Sequence, residues 1–121
     1  MAESVIRRAA GTSSYASPTY TDGTATNGSA YGVRCIKYEN GMIRITGLFK
    51  VTSEKNADEV LFTLPAGYIH AVANNGGMRF WGSITNIATG VSHVIHIANK
   101  NVCAYGSSLP VGTYMINVFY F

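Results

Sequence analysis

Ile43-Arg44-Ile45-Thr46-Gly47-Leu48-Phe49-Lys50-Val51 is the stretch that decides the fold class. Ile43, Ile45, Phe49 and Val51 alternate with Arg44, Thr46, Leu48 and Lys50 around Gly47. A period of two puts the two sets on opposite faces of an extended chain. Just upstream, Asn40-Gly41 is a turn pair that follows the run Gly32 to Tyr38, so the two runs read as a β-hairpin with one wet face.

The same grammar continues downstream. A charged loop, Ser53-Glu54-Lys55-Asn56-Ala57-Asp58, leads into Glu59 to Leu64, where Val60, Phe62 and Leu64 share a face. Pro65-Ala66-Gly67 then removes a backbone donor and offers a residue free to take positive φ, which ends the strand. Tyr68 to Ala73 resumes an extended run and Asn74-Asn75-Gly76-Gly77 turns it. After that turn Met78, Phe80, Gly82 and Ile84 alternate with Arg79, Trp81, Ser83 and Thr85. Val91 to Ala98, Val102 to Tyr105 and Gly112 to Phe121 supply three further strands. No apolar stripe of helical spacing runs longer than about a turn. Some seven or eight short strands with Gly and Asn turns predict an all-β, antiparallel β-sandwich of jelly-roll type. The closing strand, Tyr114 to Phe121, carries no charge, and an exposed edge of that kind would aggregate, so its expected place is central in a sheet or in a subunit interface.

Upstream the composition changes. Residues 9–30 are dominated by Ser, Thr, Ala and Gly and hold no large aliphatic side chain, so their own burial cannot offset the entropy of ordering them. The expectation is an N-terminal arm or linker over 1–30 and a β-domain over 31–121, with Ser4 to Arg8 able to pair as a strand and Tyr15 and Tyr20 able to dock on a neighbouring subunit. The 121 residues suit one domain. Charged residues make up 12% of them, about half the usual share, and from Val60 to Phe121 the only Asp, Glu, Lys or Arg are Arg79 and Lys100. So little charge on half a chain predicts surface hidden by self-association.

Several function classes fall away. Nine Lys and Arg against six Asp and Glu give a net charge of +3, but the basic residues are scattered and cluster no further than Arg7-Arg8, so no nucleic-acid stripe is present. No apolar run approaches the ~20 residues of a membrane span, and Met-Ala-Glu-Ser lacks the opening of a signal peptide, which reads as synthesis in the cytoplasm without membrane insertion. Cys35 and Cys103 lie far apart, without zinc or redox spacing, and read as buried, reduced small hydrophobes. Glycosidic cleavage needs two facing carboxylates, whereas beyond Glu59 there are none and Asp58-Glu59 point to opposite faces when extended. His93 and His96, three apart on a strand, also face opposite ways and cannot chelate one ion within a subunit, although a three-fold axis can gather three copies of either. No Gly-x-Ser-x-Gly elbow is present, no cysteine has a nucleophile signature, and no cofactor, metal or catalytic residue is expected.

The run Ile43-Arg44-Ile45-Thr46-Gly47, followed at a distance by Leu61-Phe62-Thr63-Leu64-Pro65-Ala66-Gly67-Tyr68, is similar to a pattern of bacteriophage tail-fibre and baseplate receptor-binding proteins. There a strand of the form V-x-I-x-G precedes L-F-T-L-P-x-G-Y and an aromatic strand closes the chain. The resemblance covers roughly residues 31–121 and is sharpest over Leu61 to Tyr68, after which this chain has Ile69-His70 where the family often has Arg-Pro. It implies a trimeric β-sandwich head domain on a virion, contacting other tail or baseplate proteins and binding host cell-surface saccharide.

Saccharide recognition needs an aromatic platform and a few polar groups at its rim. Trp81, the sole tryptophan, shares its strand face with Arg79, Ser83 and Thr85, and reads as a ligand platform, an interface residue or a core residue. Tyr68, His70, Asn74, Asn75 and Tyr105 complete the candidate set, although turn asparagines often serve only their own backbone. Two functions compete: a host-recognition module that binds glycan without catalysis, and a structural trimeric tip or assembly domain of a virion fibre with no glycan ligand.

Overall fold

The computed structural model describes residues 12–27, 31–69 and 79–121. These form ten β-strands: β1 (Thr12–Ala16), β2 (Thr19–Tyr20), β3 (Thr24–Thr26), β4 (Arg34–Tyr38), β5 (Ile43–Val51), β6 (Val60–Thr63), β7 (Phe80–Asn86), β8 (Ser92–Ala98), β9 (Asn101–Ala104) and β10 (Gly112–Tyr120). All belong to one antiparallel sheet, in the order β1-β4-β5-β10-β7-β8-β9-β6-β2, with β3 added beside β5. The expected strand over Ser4 to Arg8, most of the run Tyr68 to Ala73, the Asn74 to Gly77 turn and Met78 lie outside the described residues.

The connectivity imposes the shape. Nine strands side by side make a flat sheet about 38 Å across, yet its two end strands, β1 and β2, are joined by Ser17-Pro18 alone. That link spans at most about 11 Å. The sheet therefore curls into a half-barrel whose ends come together over one core. Tyr114, Phe49, Phe62, Leu61, Ile45, Ile84, Ile95, Ile97 and Ile116 are buried there almost completely. Phe49 stands at the centre, edge-on to Phe62 (5.4 Å between ring centroids) and stacked on Tyr114 (5.9 Å). Burying each such ring contributes about 2–3 kcal/mol.

The hairpin reading holds: β4 pairs with β5, from Arg34 opposite Thr46 to Lys37 opposite Ile43. The closing strand is central, as its lack of charge requires, with β5 along its whole length on one side and β7 on the other. Along β10, Tyr114, Ile116, Val118 and Tyr120 point inward while Met115, Asn117 and Phe119 point out.

Within the segment expected to be an arm or linker, the described residues 12–26 add three strands to the sheet: β1 pairs with β4, β2 with β6, and β3 with β5. An entropy argument that counts only aliphatic burial misses what holds it, which is main-chain pairing and threonine hydroxyls. Thr24 Oγ1 donates to the Leu61 carbonyl at 2.6 Å, and Thr21 Oγ1 lies 2.6 Å from the Val60 carbonyl oxygen. The charged loop Ser53 to Asp58 also turns one residue inward. Lys55 is only 5% exposed, and its ammonium donates to Thr21 Oγ1 (3.2 Å) and to the Asp22 carbonyl, with Glu59 3.9 Å away. Its backbone pairs with Leu109 in both directions. A buried ammonium needs such partners to offset its desolvation.

Two tyrosine hydroxyls tie the C-terminal strand to the N-terminal one. Tyr120 donates to the Tyr68 carbonyl at 2.7 Å, and Tyr68 donates to Ser14 Oγ at 2.6 Å. Burial pushes the Tyr120 phenol well above its usual range.

Gly47 interrupts β5 for a steric reason. Its φ is +138°, and a Cβ there would stand 2.4 Å from the Gly32 carbonyl oxygen. Gly47→Ala is expected to destabilise the protein by about 3 kcal/mol or more, through strain and collision together. Gly41→Ala, at φ +90° with nothing within 4 Å of a Cβ, should cost only about 1 kcal/mol. Urea unfolding midpoints of the two variants check the contrast, and equal midpoints would remove the assigned role of Gly47.

Candidate functional site

The cross-strand register places Trp81 of β7 opposite His96 of β8, and His96 opposite Cys103 of β9. Directly opposed residues share a face, so the three side chains form a row on the outer surface of the sheet. Tyr105, whose amide donates to the Val94 carbonyl at 3.1 Å, follows Cys103 on that same face. The inward set of these strands, Ile84, Ile95, Ile97, Val102 and Ala104, is buried in the core.

The result is an aromatic cluster over a buried imidazole. Trp81 meets Tyr105 edge-to-face at 4.7 Å and 77°. His96 lies 5.6 Å from the indole and 5.7 Å from the Tyr105 ring. Trp81 is 50% exposed and Tyr105 42%, whereas His96 beneath them is 4% exposed. Neither imidazole nitrogen has a hydrogen-bond partner. Asp58 Oδ1 stands 3.5 Å from Nε2, near enough for an ion pair with a protonated ring but not placed as a hydrogen bond. Asp58 itself is a left-handed residue, with φ +68°, held by its amide on the Ala104 carbonyl at 2.9 Å.

The alternation read from the sequence on β7 is present: Phe80, Gly82 and Ile84 are more buried than their exposed neighbours Trp81 and Ser83. Thr85 reaches Ser92 Oγ at 3.1 Å across the same outer face. Arg79, exposed, precedes β7 by one residue, on the side of the run that Trp81 occupies. The structure thus brings together Trp81, Arg79 and Tyr105 of the expected site residues. Tyr68 is a correction: it is 7% exposed and spends its hydroxyl and carbonyl on Ser14 and Tyr120, because the Pro65 to Gly67 turn aims its ring into the core. His70, Asn74 and Asn75 lie outside the described residues.

His96 is a member of the cluster that is not among the site residues expected from the sequence. It and His93 do face opposite ways: His93 meets the Tyr114 ring at 5.7 Å while His96 meets Trp81. The available signal was strand parity, which puts His96 among the outward positions of β8 with Val94. The cysteines are free and buried, as expected. Burial pushes the Cys35 thiol up to about 12. For Cys103 burial again raises the value first and the nearby Asp58 charge adds to it, partly offset by Arg79. Both are protonated at neutral pH and therefore poor nucleophiles.

Among the described residues there is no group of three or more metal-ligating side chains and no helix long and apolar enough to cross a membrane. The chain matches no protein-family model, no curated protein and no solved structure. What the cluster offers chemically is a half-exposed indole with an adjoining phenol hydroxyl, a guanidinium nearby and hydroxyl groups along the same strand.

An unsatisfied buried polar group is unfavourable by about 1–3 kcal/mol, and replacing it by an apolar group of similar shape removes that penalty. His96→Phe is therefore expected to leave stability unchanged or to raise it by about 1 kcal/mol, read as an equal or higher thermal midpoint. A loss of more than about 1 kcal/mol would mean that the Asp58 contact outweighs the desolvation of the ring.

Proposed function

We propose that this chain is a non-catalytic attachment domain of a bacteriophage or prophage tail that holds host cell-surface saccharide on the Trp81–Tyr105 cluster. The observation that carries the reading is the half-exposed, edge-to-face pair of Trp81 and Tyr105 on the outer face of a rigid three-strand surface. An indole held by its neighbours stacks on the C–H face of a sugar with little further entropy loss, and Arg79 and the Tyr105 hydroxyl supply polar contacts at the rim. The family pattern at Ile43 to Gly47 and Leu61 to Tyr68 supports the same reading. In it, the unit is a sandwich-like, jelly-roll-related head that works as a homotrimer on the virion beside other tail proteins. Three copies raise weak single-site binding through avidity.

A second reading, a trimeric tip without a glycan ligand, is favoured by one observation. The outward row of β10 exposes Met115 (46%) and Phe119 (57%), and Phe121 beyond it is 67% exposed, which suits burial against another copy.

Because Trp81 is the only tryptophan, its emission reports on the site without labelling. Host cell-wall saccharide is expected to shift that emission, and Trp81→Ala to weaken adsorption to host cells by about tenfold per site or more while leaving the oligomer intact. Unchanged adsorption would remove the site from this cluster. Light scattering at micromolar concentration should give three times the chain mass of 13.0 kDa, and a mass near 13 kDa would exclude the trimer.

A further inference from the structure

On the same outer surface, but at the β4–β5 side of the sheet, lies a groove of about 370 Å³ whose lining includes Tyr31, Gly32, Arg34, Thr46, Leu48 and Met115. A second hollow of about 240 Å³, lined by Tyr15, Ala16 and Ser17, adjoins it and shares one residue with it, Arg34. The cause of the concavity is the absence of side chains at Gly32 and Gly47. The two backbones are pressed so closely that a Cβ on Gly47 would meet the Gly32 carbonyl at 2.4 Å. Leu48, bridged to Gly32, and Met115 on the neighbouring strand rise beside that floor.

We propose that this double groove binds the acidic group of a saccharide, with Arg34 as its anchor. The inference rests on the saccharide-binding reading above and adds the chemical class of ligand. Four observations carry it. Arg34 is exposed, lies opposite Thr46 and makes no ion pair among the described residues, where the pairs are Lys55 with Glu59 and His96 with Asp58. Among the described residues the lining of both hollows carries no carboxylate to compensate the guanidinium charge. Arg44, opposite Ile36 on the same face, adds a second positive charge and is oriented by donating from Nε to Asn117 Oδ1 at 2.9 Å. Finally, Tyr15 (64% exposed) and Tyr31 (69%) flank Arg34 on its two sides, which gives a sugar ring an aromatic face next to the charge. A planar guanidinium with free donors takes a carboxylate or a phosphate through two parallel hydrogen bonds, and flanking tyrosines reject neither. The shared chemistry is an oxyanion on a sugar or polyol body.

Arg34 on β4 stands three strand spacings from Trp81 on β7, about 14 Å across the sheet. The two sites can therefore be tested apart. The experiment is calorimetric titration of the full chain, its Arg34→Gln and Arg34→Lys variants and its Trp81→Ala variant. The probes are trigalacturonate, its neutral methyl ester, sn-glycerol 3-phosphate and inorganic phosphate. The unaltered protein is expected to bind trigalacturonate or glycerol phosphate at least tenfold more tightly than the neutral ester, with an affinity that falls as salt rises. Arg34→Gln should abolish that preference and leave the neutral ester unaffected, Arg34→Lys should restore part of it, and Trp81→Ala should keep it. Which acidic probe binds decides between carboxylate and phosphate. Neutral binding with no acidic preference, or a preference that survives Arg34→Gln, would overturn the groove while leaving the saccharide reading standing. No response to trigalacturonate, to its ester or to glycerol phosphate, even if inorganic phosphate binds, would overturn both.

Discussion

The ladder between β5 and β10 is the constraint on which everything else in the molecule depends. It runs unbroken from Gly112 opposite Val51 to Tyr120 opposite Ile43, the longest pairing in the sheet. It also joins the first half of the chain to the last ten residues, so every other strand is placed relative to it. β4 and β3 share the far edge of β5, one on each side of Gly47, and β7 lies along β10. Contacts between such distant parts of the sequence are slow to form and, once formed, define the register of the remainder. The inward residues of these two strands, Ile45, Phe49, Tyr114 and Ile116, are also among the most deeply buried in the protein.

Much of this architecture is legible in the sequence because strand alternation is a local signal. Ile43 to Val51, Phe80 to Asn86 and Gly112 to Tyr120 all carry their inside and outside in their parity, and the lack of charge on the closing strand narrows its place to the middle of a sheet or a subunit interface. The N-terminal third is illegible for a physical reason. Its order comes from hydroxyls of Thr21 and Thr24 on the carbonyls of Val60 and Leu61, and from an ammonium contributed by Lys55 some thirty residues away. Composition reveals none of those partners. The candidate site divides in the same way. Trp81 and its outward face can be read from β7 alone, but the packing of Tyr105 and His96 against it requires the registers of β8 and β9, and the burial of Tyr68 requires knowing that Tyr120 and Ser14 reach it.

The outer surface is chemically uneven. One end carries Trp81, Tyr105 and the covered His96, with Asp58 close by, and the other carries Arg34 and Arg44 without a facing acid among the described residues. Between them the β10 row contributes Met115, Asn117 and Phe119. Low total charge does not make this surface uniform; it lets each remaining charge dominate its neighbourhood, because few counter-charges stand near enough to screen it. A surface of this kind has separate aromatic and cationic regions on a scaffold that the core holds rigid.

The Ser17-Pro18 link has a consequence for how copies of this chain can meet. Both terminal strands of the sheet belong to one continuous segment, β2 is only two residues long, and the seam between them holds a proline without an amide hydrogen. A sheet end so short and so poor in free donors is a weak template for a foreign strand, which is the route by which exposed edges run into fibrils. Growth by adding strands is thereby discouraged, and association is left to the faces. A contact between faces is made by side chains rather than by main-chain pairing, and it stops at a defined number of subunits where its rotation closes.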